Sequence, residues 1–225
     1  MATSHGKENW QVKVMPVATR RALDFFASKK WMRASGWYLA GGTALALACG
    51  HRRSVDLDFF QAKPFSTDSL LRHLNTDKLW KTEKIEENTV HGSFGGAKIS
   101  FMTNSSFRPA FSFGEYGMVR ILDERDVAAT KLISVSQRGK KRDFVDLFWY
   151  AKNREPLRTL FNRFAMQYPD VGRNFHHIIK SLVYFEDAER DPMPLVNFAV
   201  TWKEIKTSFV KDASELSRDL LGVEL

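Results

Sequence analysis

Apolar residues recur along this chain with two different periods, and the change falls near residue 122. The first part reads as short runs and alternations broken by glycine. Trp37 to Ala40 is a continuous apolar run suited to a buried strand, and Val55 to Phe60 predicts a second one. Leu79 to Glu87, Thr89 to Phe94 and Ala97 to Thr103 predict three more strands, the last two joined by a Gly95-Gly96 hairpin turn. Met118 to Leu122 predicts one further short strand, while Asn104 to Gly117 reads as irregular and aromatic. Three helices are expected among these strands. One runs from Pro16 to Trp31, with Leu23, Phe26 and Ala27 at helical spacing; one covers Ala44 to Ala48 and is closed by Gly50; one starts at Ser66 or Thr67 and reaches Leu74. After Asp123 the period becomes helical: Glu124–Gln137, Lys141–Lys152, Pro156–Met166, Gly172–Phe185 and Trp202–Leu221, with a proline-bearing loop at Asp187–Pro194. The pattern predicts an α+β protein: a mixed β-sheet flanked by helices over residues 1–122, then a C-terminal helical bundle over 123–225.

One stretch carries chemistry as well as pattern. Gly41-Gly42-Thr43 follows the first predicted strand, opens the short Ala/Leu helix, and is followed by Asp56-Leu57-Asp58 on the next strand. Glycines let a backbone approach a bulky ligand, and a helix N-terminus attracts phosphate. Thr43 is expected to cap the helix. Side chains alternate across a strand, so Asp56 and Asp58 should share one face, about 7 Å apart along the chain. Two such carboxylates can hold Mg²⁺. A phosphate site beside a metal site points to phosphoryl or nucleotidyl transfer.

These residues resemble the signature of the polymerase-beta-like nucleotidyltransferase superfamily, a Gly-Gly or Gly-Ser turn, a short helix, then Asp-x-Asp on a strand. More closely, the chain resembles the AbiEii/AbiGii toxin family. The likeness runs through His51-Arg52-Arg53-Ser54-Val55-Asp56-Leu57-Asp58-Phe59-Phe60, Lys131-Leu132, and Arg138-Gly139-Lys140-Lys141-Arg142-Asp143-Phe144-Val145-Asp146-Leu147. It continues into Ser181-Leu182-Val183-Tyr184-Phe185-Glu186-Asp187-Ala188-Glu189, so that roughly residues 35 to 210 are covered. The resemblance implies a nucleotidyltransferase-like sheet domain, a nucleoside triphosphate substrate, Mg²⁺, and a toxin role beside an antitoxin.

The resemblance assigns roles residue by residue. Gly41, Gly42 and Thr43 would receive the phosphates; Asp56 and Asp58 would bind metal. Lys131, on a helical stripe with Ala128, Leu132 and Val135, either snorkels to solvent or meets an anion, and the resemblance makes it a cation for the triphosphate. Asp143 and Asp146, one turn apart, are either an internal or surface pair with Arg142 or Lys131, or, by resemblance, line the active site. Arg52, Arg53 and Ser54 are either a solvated turn or phosphate contacts. Arg138 to Arg142 is a basic loop, solvated or touching RNA or substrate phosphate. His176-His177 lacks companions at metal-ligand spacing and reads as packing or surface. One departure stands out. The superfamily usually places a third carboxylate on a neighbouring strand, and here Ala97–Thr103 offers Lys98, Ser100 and Met102 on one face and no acid on either. Ser100 is expected at the missing position.

Composition changes this picture little. Hydrophobic residues make up 44% of the chain, with 18 Phe and 6 Trp, enough for a substantial core. No apolar run has the length of a membrane span, and the N-terminus does not read as a signal peptide, so a cytoplasmic protein with no membrane partner is expected. The lone Cys49 reads as a core residue. A net charge of +8 suits an anionic partner such as tRNA or another RNA. The combined expectation is Mg²⁺-dependent transfer of a nucleoside monophosphate to an RNA or protein hydroxyl. Two rivals stand beside it. One is a degenerate member that binds nucleotide or RNA without catalysis, motivated by the absent third carboxylate. The other is an interaction protein docking a partner through an exposed aromatic segment, Phe101 to Tyr116.

Overall fold

The computed structural model describes residues 9–170 and 174–222. Contacts within the chain divide it into two compact units, Met1–Glu124 and Arg125–Leu225.

In the first unit a 3-10 turn at Val12–Val14 precedes α1 (Val17–Ala27) and α2 (Lys30–Ala34). Then come β1 (Tyr38–Ala40), α3 (Gly41–Cys49), β2 (Leu57–Gln61) and α4 (Thr67–Leu74). Strands β3 (Trp80–Glu86), β4 (Thr89–Phe94), β5 (Ala97–Thr103), β6 (Gly114–Tyr116) and β7 (Val119–Ile121) complete it. Among the described residues seven strands form one mixed sheet in the order β3-β4-β5-β2-β1-β7-β6. β2 runs parallel to β5 and antiparallel to β1, while β1 runs parallel to β7.

The register sorts side chains into two faces. Ile121, Leu39, Phe59, Phe101 and Val90 lie in one row across five strands, and all are fully buried. Phe26 of α1 packs its ring against Phe59, Phe94 and Phe101 at 5.3, 5.9 and 5.8 Å between centroids. Removing one such ring from a closed core costs roughly 3–5 kcal/mol, so this cluster holds the sheet's lower face. The next row on the opposite face is Ala40, Asp58, Ser100 and His91. Polar residues there are a consequence of the same alternation that buries the phenylalanines.

The second unit is helical: α5 (Glu124–Arg138), whose first residue is the last of the first unit, α6 (Lys141–Asn153), α7 (Leu157–Gln167), α8 (Phe175–Ser181), α9 (Glu186–Glu189) and α10 (Trp202–Leu221). Phe144 of α6 is its aromatic centre, with Phe185, Trp202 and Phe209 at 5.3, 5.8 and 5.4 Å. Thr201 and Glu204 form a reciprocal capping box that starts α10, and Gly222, at φ 67°, ends it in the left-handed region.

Several sequence expectations are corrected. The helix expected over Pro16–Trp31 is two helices, because Ser28 and Lys29 leave α1 before α2 begins. The strand expected from Val55 begins at Leu57; Val55 is exposed and Asp56 lies one residue outside the ladder. Gly114–Tyr116, read as irregular, is an edge strand paired to β7. Phe101 and Phe107 are buried and Phe111, Phe113 and Tyr116 half-buried, so none of the segment's aromatic rings stands fully exposed. Cys49 is half-exposed and donates to Glu124 Oε2 at 3.0 Å. The helix expected from Gly172 runs Phe175–Ser181, its anticipated start falling on residues 171–173, outside the described ones.

Candidate functional site

The polar face of the sheet unit is built around α3. Its helix starts at Gly41, directly after β1, with Ala40 at the N-cap. Alanine has no side-chain acceptor, so the N-cap residue itself does not cap the first turn. Gly41 holds φ +66°, and a Cβ there would come within 3.0 Å of Asp58 Oδ2. Asp58, paired with Ala40 across the ladder, thus lays its carboxylate over the Gly41 backbone. Thr43 is not a cap. It is the third residue of α3, buried, and its hydroxyl donates to the Asp56 carbonyl and sits 2.7 Å from Ser54 Oγ. Thr43 therefore ties the helix start to the turn that carries Asp56.

That turn is not solvated. Arg52 is 4% exposed and donates to the Arg53 carbonyl at 2.9 Å; Ser54 is buried, with its N–H on the Val14 carbonyl at 3.1 Å. Thr19 holds the Val55 carbonyl at 2.8 Å. Arg53 alone of the three residues read as phosphate contacts is exposed. Asp56 and Asp58 are both half-buried at the end of this braced segment.

Within the helical unit, charged residues form a cluster around Lys131. Lys131 Nζ lies 2.7 Å from Asp143 Oδ1 and 2.7 Å from Asp146 Oδ2. The lysine side chain is 3% exposed and both aspartates 0%. Arg138 Nε adds a bond to Asp143 Oδ2 at 3.2 Å from a half-exposed position. Burial pushes Asp143 up, but Lys131 and Arg138 outweigh it and hold its carboxyl below the usual range. The rest of the basic loop is engaged too: Lys140 pairs with Asp191 at 3.5 Å, and buried Lys141 donates to the Asp191 carbonyl. His176 and His177 are exposed.

Residues 33–221 match the family described as nucleotidyl transferase AbiEii toxin of type IV toxin–antitoxin systems. The chain belongs to the AbiEii nucleotidyltransferase toxin family. It is accordingly a nucleotidyltransferase, a transferase of phosphorus-containing groups. An uncharacterized protein of Aquifex aeolicus (strain VF5) is 34% identical over 188 residues, covering 80% of this chain and 87% of the relative. Two solved structures are similar in fold. MenT4, a nucleotidyltransferase toxin from Mycobacterium tuberculosis H37Rv, superposes with a TM-score of 0.56 at 13% identity, over 90% of this chain and 86% of MenT4. A nucleotidyltransferase candidate from H. pylori gives 0.52 at 19% identity, over 91% and 96%.

For an AbiEii protein a divalent metal is the implied cofactor, and the donor set can be tested against it. Among the described residues no group of three or more His, Cys, Asp or Glu side chains is placed to hold a metal. Asp56 and Asp58 are hard oxygen donors, and Mg²⁺ is commonly held by one or two carboxylates, with water and substrate phosphate completing its shell. Asp58 beside Gly41 puts a carboxylate next to the backbone that starts α3. The residues fit such a metal. Ser100 lies directly opposite Asp58 on the parallel neighbour β5, and His91 Nδ1 is 3.0 Å from Ser100 Oγ. Sequence reading singled out Ser100 and missed His91, whose one signal was its place on the polar phase of the Thr89–Phe94 alternation.

Among the described residues no helix is long and apolar enough to cross a membrane.

Proposed function

We propose that this AbiEii protein transfers a nucleoside monophosphate from a nucleoside triphosphate to a hydroxyl of RNA, tRNA or another, or of a protein, in a Mg²⁺-dependent reaction. In this reading it acts in the cytoplasm as the toxin of a toxin–antitoxin pair, with a cognate antitoxin protein as partner. The observation that carries the chemistry is the Asp58 carboxylate lying over Gly41 at the start of α3, with Asp56 two residues before it.

The roles follow from position. The N–H groups of Gly41, Gly42 and Thr43 bind phosphate oxygens. Arg52 and Ser54 serve the nucleotide by fixing the turn, since both are buried and bonded to its backbone or to Thr43. Asp56 and Asp58 would hold Mg²⁺, which when bound offsets charge on the phosphates and on the pyrophosphate leaving group. Lys131, Asp143 and Asp146, to which the family resemblance gives a part in the reaction, support it from within the helical unit as a buried cluster in which Lys131 and Arg138 keep Asp143 ionised. The acceptor hydroxyl attacks the α-phosphorus in line, and positioning with charge stabilisation supplies most of the rate. The net charge of +8 favours an anionic acceptor such as RNA only through long-range attraction.

The test is incubation with each α-³²P-labelled nucleoside triphosphate and either total cellular RNA or lysate protein, with Mg²⁺ or with EDTA. Label should move to an acceptor, with pyrophosphate released, only when Mg²⁺ is present. Nucleotide binding without pyrophosphate release would favour the non-catalytic reading, for which Ser100 opposite Asp58 is the motivating observation. Neither binding nor transfer would end the proposal.

A further inference from the structure

The polar row across the sheet holds a pair that the roles above leave unused. Ala40, Asp58, Ser100 and His91 are consecutive partners on β1, β2, β5 and β4. Neighbouring strands are about 4.8 Å apart, and directly opposed residues point to the same face, so Ser100 is Asp58's nearest side-chain neighbour on the β5 side. Ser100 is half-buried and bonded to His91 Nδ1 at 3.0 Å. The other ring nitrogen, Nε2, lies 3.7 Å from Glu86 Oε2 on β3. A carboxylate there favours the tautomer with its proton on Nε2, which leaves Nδ1 to accept from the Ser100 hydroxyl. Glu86 is itself fixed by Lys84 at 2.6 Å, and Lys84 is the cross-strand partner of His91.

The strand that carries His91 is held to a set depth. Its neighbour Gly92 points to the opposite face, where a Cβ would fall 2.5 Å from the Lys81 carbonyl oxygen and from the Trp80 ring. Trp80 is in turn locked by its indole N–H on Thr82 Oγ1 at 2.9 Å. β3 and β4 are thus pressed together beneath the imidazole, and His91 is held in line with Ser100 rather than on a loose edge.

A nucleotidyl transfer needs a group to take the proton of the attacking hydroxyl. A carboxylate that holds a metal has its lone pairs engaged, so the base is better supplied from beside the acids than by them. We propose that Ser100 and His91 form a hydroxyl–imidazole relay on the acceptor side of Asp58, in place of a third carboxylate. This rests on the nucleotidyltransferase reading above. The acceptor oxygen forms its bond to the α-phosphorus, and the bond from that phosphorus to the pyrophosphate oxygen breaks, with its electron pair leaving on pyrophosphate. The acceptor proton passes to Ser100 Oγ while the Ser100 hydroxyl proton passes to His91 Nδ1, giving an imidazolium whose Nε2–H faces Glu86. Ser100 touches the reacting hydroxyl and is the catalytic residue; His91 acts through it.

The experiment uses the full chain and four variants: His91→Gln, Ser100→Ala, Ser100→Asp, and the double variant Ser100→Asp/His91→Gln. Turnover is followed with labelled nucleoside triphosphates and total RNA or lysate protein; metal affinity is followed separately by the EPR signal of free Mn²⁺. His91→Gln should lower kcat about 100-fold, the usual scale of general-base loss, with KM for nucleotide within about twofold. Ser100→Ala should lower kcat similarly. The double variant should recover to within about tenfold of the parent, because aspartate at 100 accepts the proton without histidine. Ser100→Asp should also tighten Mn²⁺ binding at least about fivefold by adding a carboxylate beside Asp58, whereas His91→Gln should leave Mn²⁺ affinity unchanged. Unchanged kcat in His91→Gln, a double variant as slow as the single, or no Mn²⁺ effect of Ser100→Asp would each overturn the relay while the parent remains active. A parent that transfers no nucleotide and binds no Mn²⁺ overturns the relay and the nucleotidyltransferase reading together.

Discussion

The sheet unit and the helical unit each hold a pair of aspartates a few residues apart, and the two pairs sit in opposite surroundings. Asp56 and Asp58 are half-buried beside a glycine turn and an uncapped helix start. Asp143 and Asp146 are fully buried, with one ammonium 2.7 Å from each. The first pair is partly open to solvent, where a ligand can reach it; in the second an ammonium lies between two carboxylates closed off from water. A carboxylate pair is thus read by what neutralises it rather than by its spacing. A buried, internally balanced cluster is sensitive to the loss of any member, whereas a half-exposed pair can lose charge at little structural cost.

The largest contrast should come from the sheet pair itself. Asp58→Asn, and separately Asp56→Asn, should lower nucleotide transfer by about 10²–10³-fold or more while the melting temperature holds or rises, because one of two nearby like charges is removed from a half-exposed position. Labelled-nucleotide transfer and a thermal melt on the same preparation check this. Equal turnover in both variants would remove the acids from the reaction.

Lys131→Met should do the reverse, acting first on stability. It takes away the ammonium bonded to both buried carboxylates and should cost about 3–5 kcal/mol in urea unfolding. If unfolding were unchanged and only turnover fell, the lysine would belong to substrate rather than to the helical core, and the contrast between the units would break.

Acid should sharpen the same contrast. Asp143 is held below its ordinary range, so its contribution to stability is fully present above the unfolded carboxylate value of about 3.9 and is lost as pH falls through its lower folded value. Urea unfolding at pH 7 and at successively lower pH should show this decline. Asp143→Asn, already weaker at neutral pH, should lose less on acidification.

Smaller effects are expected at the turn. Gly41→Ala puts a side chain at φ +66° and a Cβ 3.0 Å from Asp58 Oδ2. It should cost about 1–2 kcal/mol in stability, and nucleotide affinity should fall as Asp58 is displaced. Thr43→Val removes the hydroxyl that joins Ser54 and the Asp56 carbonyl, and should cost about 1–2 kcal/mol. Nucleotide titration by calorimetry beside urea unfolding separates the two consequences in each case.

The elements that the sequence made legible are those whose signal is local. Thr89–Phe94, Ala97–Thr103 and Trp202–Leu221 were read at their observed bounds, because alternation or helical period persists through each of them. The Gly-Gly turn, the two acids and the missing acid at Ser100 were likewise visible, since strand parity fixes which residues share a face before any strand is paired. Tertiary structure decided what depends on distant partners. Ser28 and Lys29 interrupt a run that looked continuously helical, and Gly114–Tyr116 becomes a strand only because β7 lies beside it. Arg52 and Ser54 had two open readings, a solvated turn or phosphate contacts, and the fold buries both, with Ser54 bonded to Val14 and Thr43. Lys131 had two open readings on its helix, and only the fold of α6 against it supplied Asp143 and Asp146 as its neighbours. The place of His91 beside Ser100 required the β4–β5 register, which sets which rows of side chains meet. The sequence by itself determined which chemical groups the chain carries and which face each takes, because those follow from backbone geometry over a few residues. Which groups are neutralised, buried or set side by side is fixed by contacts between residues far apart in the chain, and those exist only once it has folded.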